Sequence, residues 1–313
     1  MPEICVLVPS YNHSPYIERT LRSIYAQTLK PKKLIVIDDG SKDESLKIIE
    51  RVLKESPFEA ELIARENRGL CATLNEGFAK TDGEYFAYLG SDDVWLPTFL
   101  EEQVGLLESR PNARLAFAHA YVIDEQDNIL DRTDNWTDFA DGDMLPGLLR
   151  GEIFSSPGVV YRRAVLEKYR WNENAALEDY ELYLNLAVDG EFARNLNILC
   201  AWRQHGTNTS DNFPLMLSEQ IAAQDRIIER LKISRERLAK IQADRKFQAV
   251  ADLVRSGYKG EAFTYFRENQ LAARSFGETA KMFIRLMIPQ PIFQWNKARK
   301  RRSAIRKYGK LVI

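Results

Sequence analysis

The sequence predicts an α/β fold: a doubly wound, mainly parallel sheet followed by an α-helical C-terminal extension. Short, almost wholly apolar runs alternate with amphipathic segments through residue 90. Polar clusters fall where those runs end, and in open parallel sheets ligands gather at the carboxyl ends of strands. From about residue 213 the pattern is helical throughout. With 313 residues, 45% hydrophobic, the chain suits one large domain at 1–212 and a helical region with a basic tail at 213–313.

The elements follow in order. ICVLVPS, ended by Pro9, reads as a strand buried on both faces. Ile17, Leu21, Ile24 and Thr28 recur at helical spacing, predicting a helix over 15–28 that Pro31 closes. KLIVIDDGS gives a second strand and a turn, 43–55 a helix, AELIARE a third strand and 69–80 a helix. A turn at Gly83 leads into the strand EYFAYLG. Beyond residue 150 the strand signal thins: SSPGVVYRRAVL predicts a strand running into a helix, LEDYELYLNLAVDG a helix, and NILCAWRQHG one more strand.

Several classes are disfavoured. Cys5, Cys71 and Cys200 are odd in number and lack ligand spacing, so they read as reduced thiols of a cytoplasmic protein. MPEICVLVPSYN lacks the basic and apolar regions of a signal peptide, and no run of about 18 apolar residues occurs. Neither G-x-G-x-x-G nor a P-loop motif is present.

Four clusters carry candidate chemistry. Asp38-Asp39-Gly40-Ser41 is good turn chemistry, but two adjacent carboxylates after IVI also offer an acceptor for a base or ribose. In LGSDDVW, Asp92 and Asp93 follow an apolar strand. A hard divalent ion, Mg2+ or Mn2+, held by one or two carboxylates is the remaining device for neutralising a diphosphate. Glu178 and Asp179 open a helix, where acids usually cap, yet Asp179 is also a natural candidate for a general base toward a hydroxyl. Arg203 and His205 follow the last strand, within reach of a diphosphate; a lone histidine is more often structural.

Taken in order, VLVPSYNHSPYIERTLRSIYAQT, KLIVIDDGSKDES, ENRGLCATLNEGFAKTDGEYFAYLGSDDVWLP, LEDYELYLNLAVDGEFARN and WRQHGTNTS resemble the family 2 glycosyltransferases of the GT-A fold, over about residues 3–212. The resemblance implies an inverting, metal-dependent, hexosyl-type transferase. It would move a sugar from a nucleotide-diphosphate donor, expected to be a UDP-sugar, to a hydroxyl of a glycan or lipid-linked acceptor, as in bacterial cell-surface polysaccharide synthesis. It implies that Pro9, Tyr11 and Asn12 line the nucleotide pocket and that Asp39 meets the base. Asn67, Gly69, Asn75 and Gly77 would approach the nucleoside, Ser91, Arg203 and His205 would join the donor site, and Asp92 with Asp93 would hold the metal. Asp179 would be the base. Relatives read D-S-D-D where this chain has Gly90-Ser91-Asp92-Asp93, so one carboxylate is missing. That departure sustains an alternative, a non-catalytic protein of this fold that binds sugar nucleotides.

Charge is unevenly spread. Glu278 is the last acidic residue and ten Lys or Arg follow it, although the whole chain is only −1. With Phe283, Trp295 and the runs MFI and LMI among them, residues 279–313 have the composition of an interfacial anchor on anionic lipid. The expected place is the cytoplasm, peripheral on the inner face of the cell membrane. A helix packed on the body with a solvated cationic end is the competing expectation. Nucleic acid is not an expected partner.

Overall fold

The computed structural model describes residues 2–136, 138–206 and 208–312. Its first half keeps the expected rhythm: β1 (Ile4–Ser10), α1 (Ile17–Tyr25), β2 (Lys33–Asp38), α2 (Ser45–Leu53), β3 (Glu59–Ala64), α3 (Leu70–Ala79) and β4 (Tyr85–Tyr88). Then follow β5 (Val94–Trp95), α4 (Phe99–Ser109), β6 (Ala113–Ile123), β7 (Ile129–Arg132), α5 (Leu145–Leu149), β8 (Val159–Arg162), α6 (Arg163–Lys168), α7 (Tyr180–Asp189) and β9 (Glu191–Arg203). The strands form one mixed sheet in the order β3-β2-β1-β4-β8-β6-β9-β5, with β7 paired to β6. The long pairings, β1 with β2, β2 with β3 and β6 with β9, are parallel. Those of β8 with β4 and β6 are short and antiparallel.

β1 lies between β2 and β4 and is buried along its whole length, as its apolar run requires. Pro9 belongs to this strand and does not end it. The Leu7 carbonyl accepts from Leu89 on the β4 side, so Pro9, two residues on, turns to that same side beyond the last β4 partner, Tyr88. Its missing N–H therefore costs no ladder bond.

One face of the sheet packs α1, α2 and α4 through Leu21, Ile24, Ile49 and Leu107. The other packs α3 and α7 through Leu74, Phe78, Tyr183 and Leu186. The thinning strand signal after residue 150 misled: β9 spans 13 residues, but Arg194, Asn195 and Asn197 interrupt its apolar run.

The helical region consists of α8 (Phe213–Arg226), α9 (Ile228–Leu231), α10 (Arg235–Ser256), α11 (Lys259–Asn269), α12 (Phe276–Met287) and α13 (Gln290–Tyr308). Ala223, Ile228 and Leu238 join the α3/α7 core, and the Gln224 amide donates to the Leu149 carbonyl and the Tyr180 hydroxyl. Packing is thus continuous across residue 212. A separate core around Phe247, Val250, Leu253 and Phe266 binds α10 to α11 and α12.

The basic tail is partly tied down. Arg301 pairs with the buried Asp124 at 2.8 Å, Leu311 N–H donates to the Asp127 carbonyl, and Arg19 donates to the Leu311 carbonyl. Phe283, Ile284, Met287, Ile292 and Trp295 remain exposed beside Lys297, Arg299, Lys300 and Arg302. No helix among the described residues is long and apolar enough to cross a membrane. The three cysteines are free and buried.

Candidate active site

The strand ends converge on a cavity of about 520 Å³. Pro9, Ser10, Tyr11 and His13 come from the end of β1, Asp39 from β2, Asn67, Gly69 and Thr73 from the approach to α3, and Ser91, Asp92 and Asp93 from the turn after β4. Glu178 and Asp179 enter from the mouth of α7, and Trp202 and His205 from β9 and its end. Ser155 and Ser156 come from the segment between α5 and β8.

In the Asp38-Asp39-Gly40-Ser41 turn the two carboxylates divide the work. Asp38 accepts from the amide and hydroxyl of Ser41 at 2.9 and 2.7 Å, which is the turn chemistry. Asp39 faces the cavity, accepting from the amides of Arg68 and Gly69 at 2.8 and 2.9 Å and pairing with Arg65. Gly40 has φ +81°, and a Cβ there would stand 2.9 Å from the Asn67 nitrogen, so only glycine fits this turn.

The turn after β4 is built from below. Thr20 donates to the carbonyls of Ser91 and Asp93 at 3.0 and 2.8 Å. Arg203, 1% exposed, donates to the Asp92 and Asp124 carbonyls and pairs with Asp127 at 2.7 Å, its guanidinium lying over the Tyr16 ring. Above it, His205 Nε2 lies 2.9 Å from one Asp92 oxygen and His13 Nδ1 3.8 Å from the other. These three side chains each bring one donor atom to within 4.8 Å of the others, a nitrogen-and-oxygen set that fits a divalent cation. Burial alone would raise the Asp92 pKa, but the His205 hydrogen bond and the neighbouring His13 outweigh it and hold the group below its ordinary value.

Asp93 behaves in the opposite way. Burial first, then the Asp92 charge, pushes its pKa well above the carboxylate range, and its oxygen accepts from the Arg203 amide at 2.8 Å. The cation-capable group therefore contains Asp92 and two histidines, and Asp93 serves the β9 backbone.

Asp179 and Glu178 are partly buried and line the cavity. Burial raises the Asp179 pKa well above its ordinary value and the Glu178 charge adds to this; burial also raises Glu178, with Asp92 contributing. Asp179 occupies the N-cap position of α7 but its side chain makes no capping bond, so capping is not its role. The Ser10 and Ser155 hydroxyls are buried without a partner among the described residues, and both residues line the cavity.

Four residues expected at the donor site, Arg203, Asn12, Asn75 and Gly77, do not line the cavity. Arg203 supports the floor beneath Asp92 and does not face a diphosphate. Asn12, at φ 55°, donates its amide to Ser41 and accepts from the Lys42 amide, fastening the β1 loop to the β2 loop. Asn75 bonds the Trp171 backbone and Glu173, fixing the segment before α7. Gly77 lets α3 approach β1, where a Cβ would meet Leu7 at 2.4 Å. His13, Tyr16 and Arg65 had no assigned role. The signal for His13 is its place three residues beyond the end of β1; Tyr16, stacked on His205, and Arg65 give none.

Residues 5–170 match the family described as "Glycosyl transferase family 2". An uncharacterised glycosyltransferase of Nostoc sp. is 29% identical over 237 residues, covering 72% of this chain and 72% of that protein. Two solved structures share the fold. A mannosyltransferase of Pyrobaculum calidifontis, in complex with GDP-Man and Mn2+, has TM-score 0.63 at 18% identity, covering 98% of this chain and 86% of its own. S. aureus TarS 1–349 in complex with UDP has TM-score 0.57 at 14% identity, covering 94% and 92%.

Proposed function

Because this chain belongs to glycosyl transferase family 2, we propose that its cavity binds a nucleotide-diphosphate sugar, a UDP-sugar, and transfers the hexosyl group with inversion to a hydroxyl of a glycan or lipid-linked acceptor. One observation carries the reading. A single cavity faces a base-accepting carboxylate, Asp39, a cation-capable Asp92, and a carboxylate of raised proton affinity, Asp179.

In this reading Pro9, Tyr11, Asn67 and Gly69 enclose the nucleoside, and Asp39, held by two amides and Arg65, accepts from the base. Ser91, Asp92 and His205 lie toward the diphosphate, with Asp92 and His205 holding Mg2+ or Mn2+. The ion, when bound, supplies charge neutralisation for the leaving diphosphate. Asp179 takes the acceptor proton as the hydroxyl oxygen bonds to the anomeric carbon. The bond to the diphosphate oxygen breaks with its electron pair leaving on the phosphate, and attack opposite the leaving group inverts the centre. A raised Asp179 pKa suits a base that must hold a proton near neutral pH. The TarS complex with UDP supports the uridine donor, and the mannosyltransferase complex supports a divalent ion.

The acceptor side of the proposal rests on α12 and α13. Phe283, Ile284, Met287, Ile292 and Trp295 are exposed among cations, a composition for lying on the anionic inner face of the cell membrane, where lipid-linked acceptors are anchored. A panel of nucleotide sugars tests the donor reading by calorimetric binding and diphosphate release, with Mn2+ and with chelator. One donor bound in the micromolar range and turned over only with metal is expected. Failure of every nucleotide sugar to bind would remove the proposal.

A further inference from the structure

The turn after β4 offers a cation only one carboxylate. Gly90 has no side chain, and a Cβ there would already stand 2.9 Å from an Asp92 oxygen. Asp93 is committed to the Arg203 amide. Two imidazoles sit where further ligands are needed. His13 and His205 approach opposite oxygens of Asp92, and their rings meet edge to face with centroids 5.3 Å apart.

Both rings are held in place. Tyr16 stacks on His205 at 5.3 Å with an interplanar angle of 19°. The His13 amide donates to Ser45 Oγ at 3.0 Å, and its carbonyl accepts from Tyr16 and Ile17 at the start of α1. The His13 ring reaches Ser91 Oγ at 2.7 Å through Nδ1, the nitrogen nearest Asp92.

Resting on the donor-site reading above, we propose that His13 is a third protein ligand to the cation. The site then carries two imidazoles and one carboxylate and selects ions of the Mn2+ and Co2+ kind over Mg2+. Ligand atoms each about 2.1 Å from one ion stand at most about 4.2 Å apart. Adjacent ligands stand about 3.0 Å apart, so drawing the three donors in from within 4.8 Å takes side-chain motion on the order of an ångström. Imidazole favours later first-row ions, whereas Mg2+ prefers all-oxygen shells and keeps its water. The absence of a carboxylate at position 90 and the imidazole at position 13 shift the set in the same direction. The competing role for His13 is a hydrogen bond that orients Ser91.

Electron spin-echo spectroscopy of Mn2+ on the full chain, with and without UDP, counts coordinated imidazoles directly. Two are expected in the wild type and one in His13→Ala, with Mn2+ affinity lower by about tenfold or more and Mg2+ affinity, read by competition, nearly unchanged. His13→Gln, which can still bond Ser91, is expected to match His13→Ala. One imidazole in the wild type, or wild-type Mn2+ affinity in His13→Gln, overturns the assignment. Circular dichroism and melting of each variant exclude unfolding as the cause. Failure of the donor reading is distinguishable, because then no nucleotide sugar binds while two imidazoles still hold Mn2+.

Discussion

Replacing Asp179 by Asn should make the protein more stable and nearly inactive at once. Burial, then the Glu178 charge, raises the Asp179 pKa above its ordinary value. For an acid displaced upward by folding, the stability it contributes is fully present below its unfolded pKa and is lost as pH rises through the folded one. Above its unfolded pKa the group therefore opposes folding, and each tenfold gain in proton affinity on folding corresponds to about 1.4 kcal/mol. Asparagine keeps the size and removes that cost. Asp179→Asn should melt above the wild type at pH 7–8, with the difference closing toward pH 4. Turnover should fall about 10²–10⁴-fold, the worth of a positioned base, or about 2.7–5.4 kcal/mol of barrier. Wild-type kcat should lose activity on the acid side well above the ordinary aspartate value of about 3.9. Scanning calorimetry across pH, with steady-state diphosphate release at saturating donor, reads both effects. A variant that turns over within a few-fold of the wild type, or melts below it at pH 7, refutes the reasoning.

Further outcomes follow from the same geometry. Arg203→Ala removes a buried guanidinium, leaving the Asp92 and Asp124 carbonyls without its hydrogen bonds and Asp127 with Arg19 alone, so urea unfolding should show a loss of about 1–3 kcal/mol, with donor affinity falling as the Asp92 turn loosens. Gly40→Ala forces a side chain into φ +81° against the Asn67 nitrogen and should cost at least about 1 kcal/mol, read by the same denaturation. Replacing Lys297, Arg299, Lys300 and Arg302 together by Gln should weaken co-sedimentation with anionic vesicles and flatten its salt dependence. About 1 kcal/mol per basic residue is at stake near the surface, and diphosphate release in solution should be unchanged. Equal sedimentation of parent and variant would remove the membrane proposal.

The α/β rhythm was legible because β1, β2 and β4 are buried on both faces and must read as unbroken apolar runs. β6 and β9 were harder. β9 carries polar side chains mid-strand, and its pairing with β6 shifts register more than once, so no single period describes it. At the site, Asp39 and Asp179 were visible because a carboxylate beside an apolar run is chemically conspicuous. Arg203 looked like a diphosphate contact for the same reason, but whether an arginine faces a cavity or braces its floor depends on Asp124 and Asp127, nearly eighty residues away in sequence. Asn12 and Asn75 failed likewise: both are spent on backbone far off in sequence, at Lys42 and at Trp171. The tail's composition showed its charge but not its anchorage, since the contacts of Arg301 and Leu311 with the 124–129 turn are long-range.

A single in-line displacement with Asp179 as the base is tested most directly by the stereochemistry of the product. Once the panel has identified the donor, proton NMR of the earliest product formed with Mn2+ present reads the anomeric configuration of the transferred sugar. The account predicts the configuration opposite to that of the donor, and no product from Asp179→Asn on the same timescale. Retention of the donor's configuration, or equal product from Asp179→Asn, would contradict it.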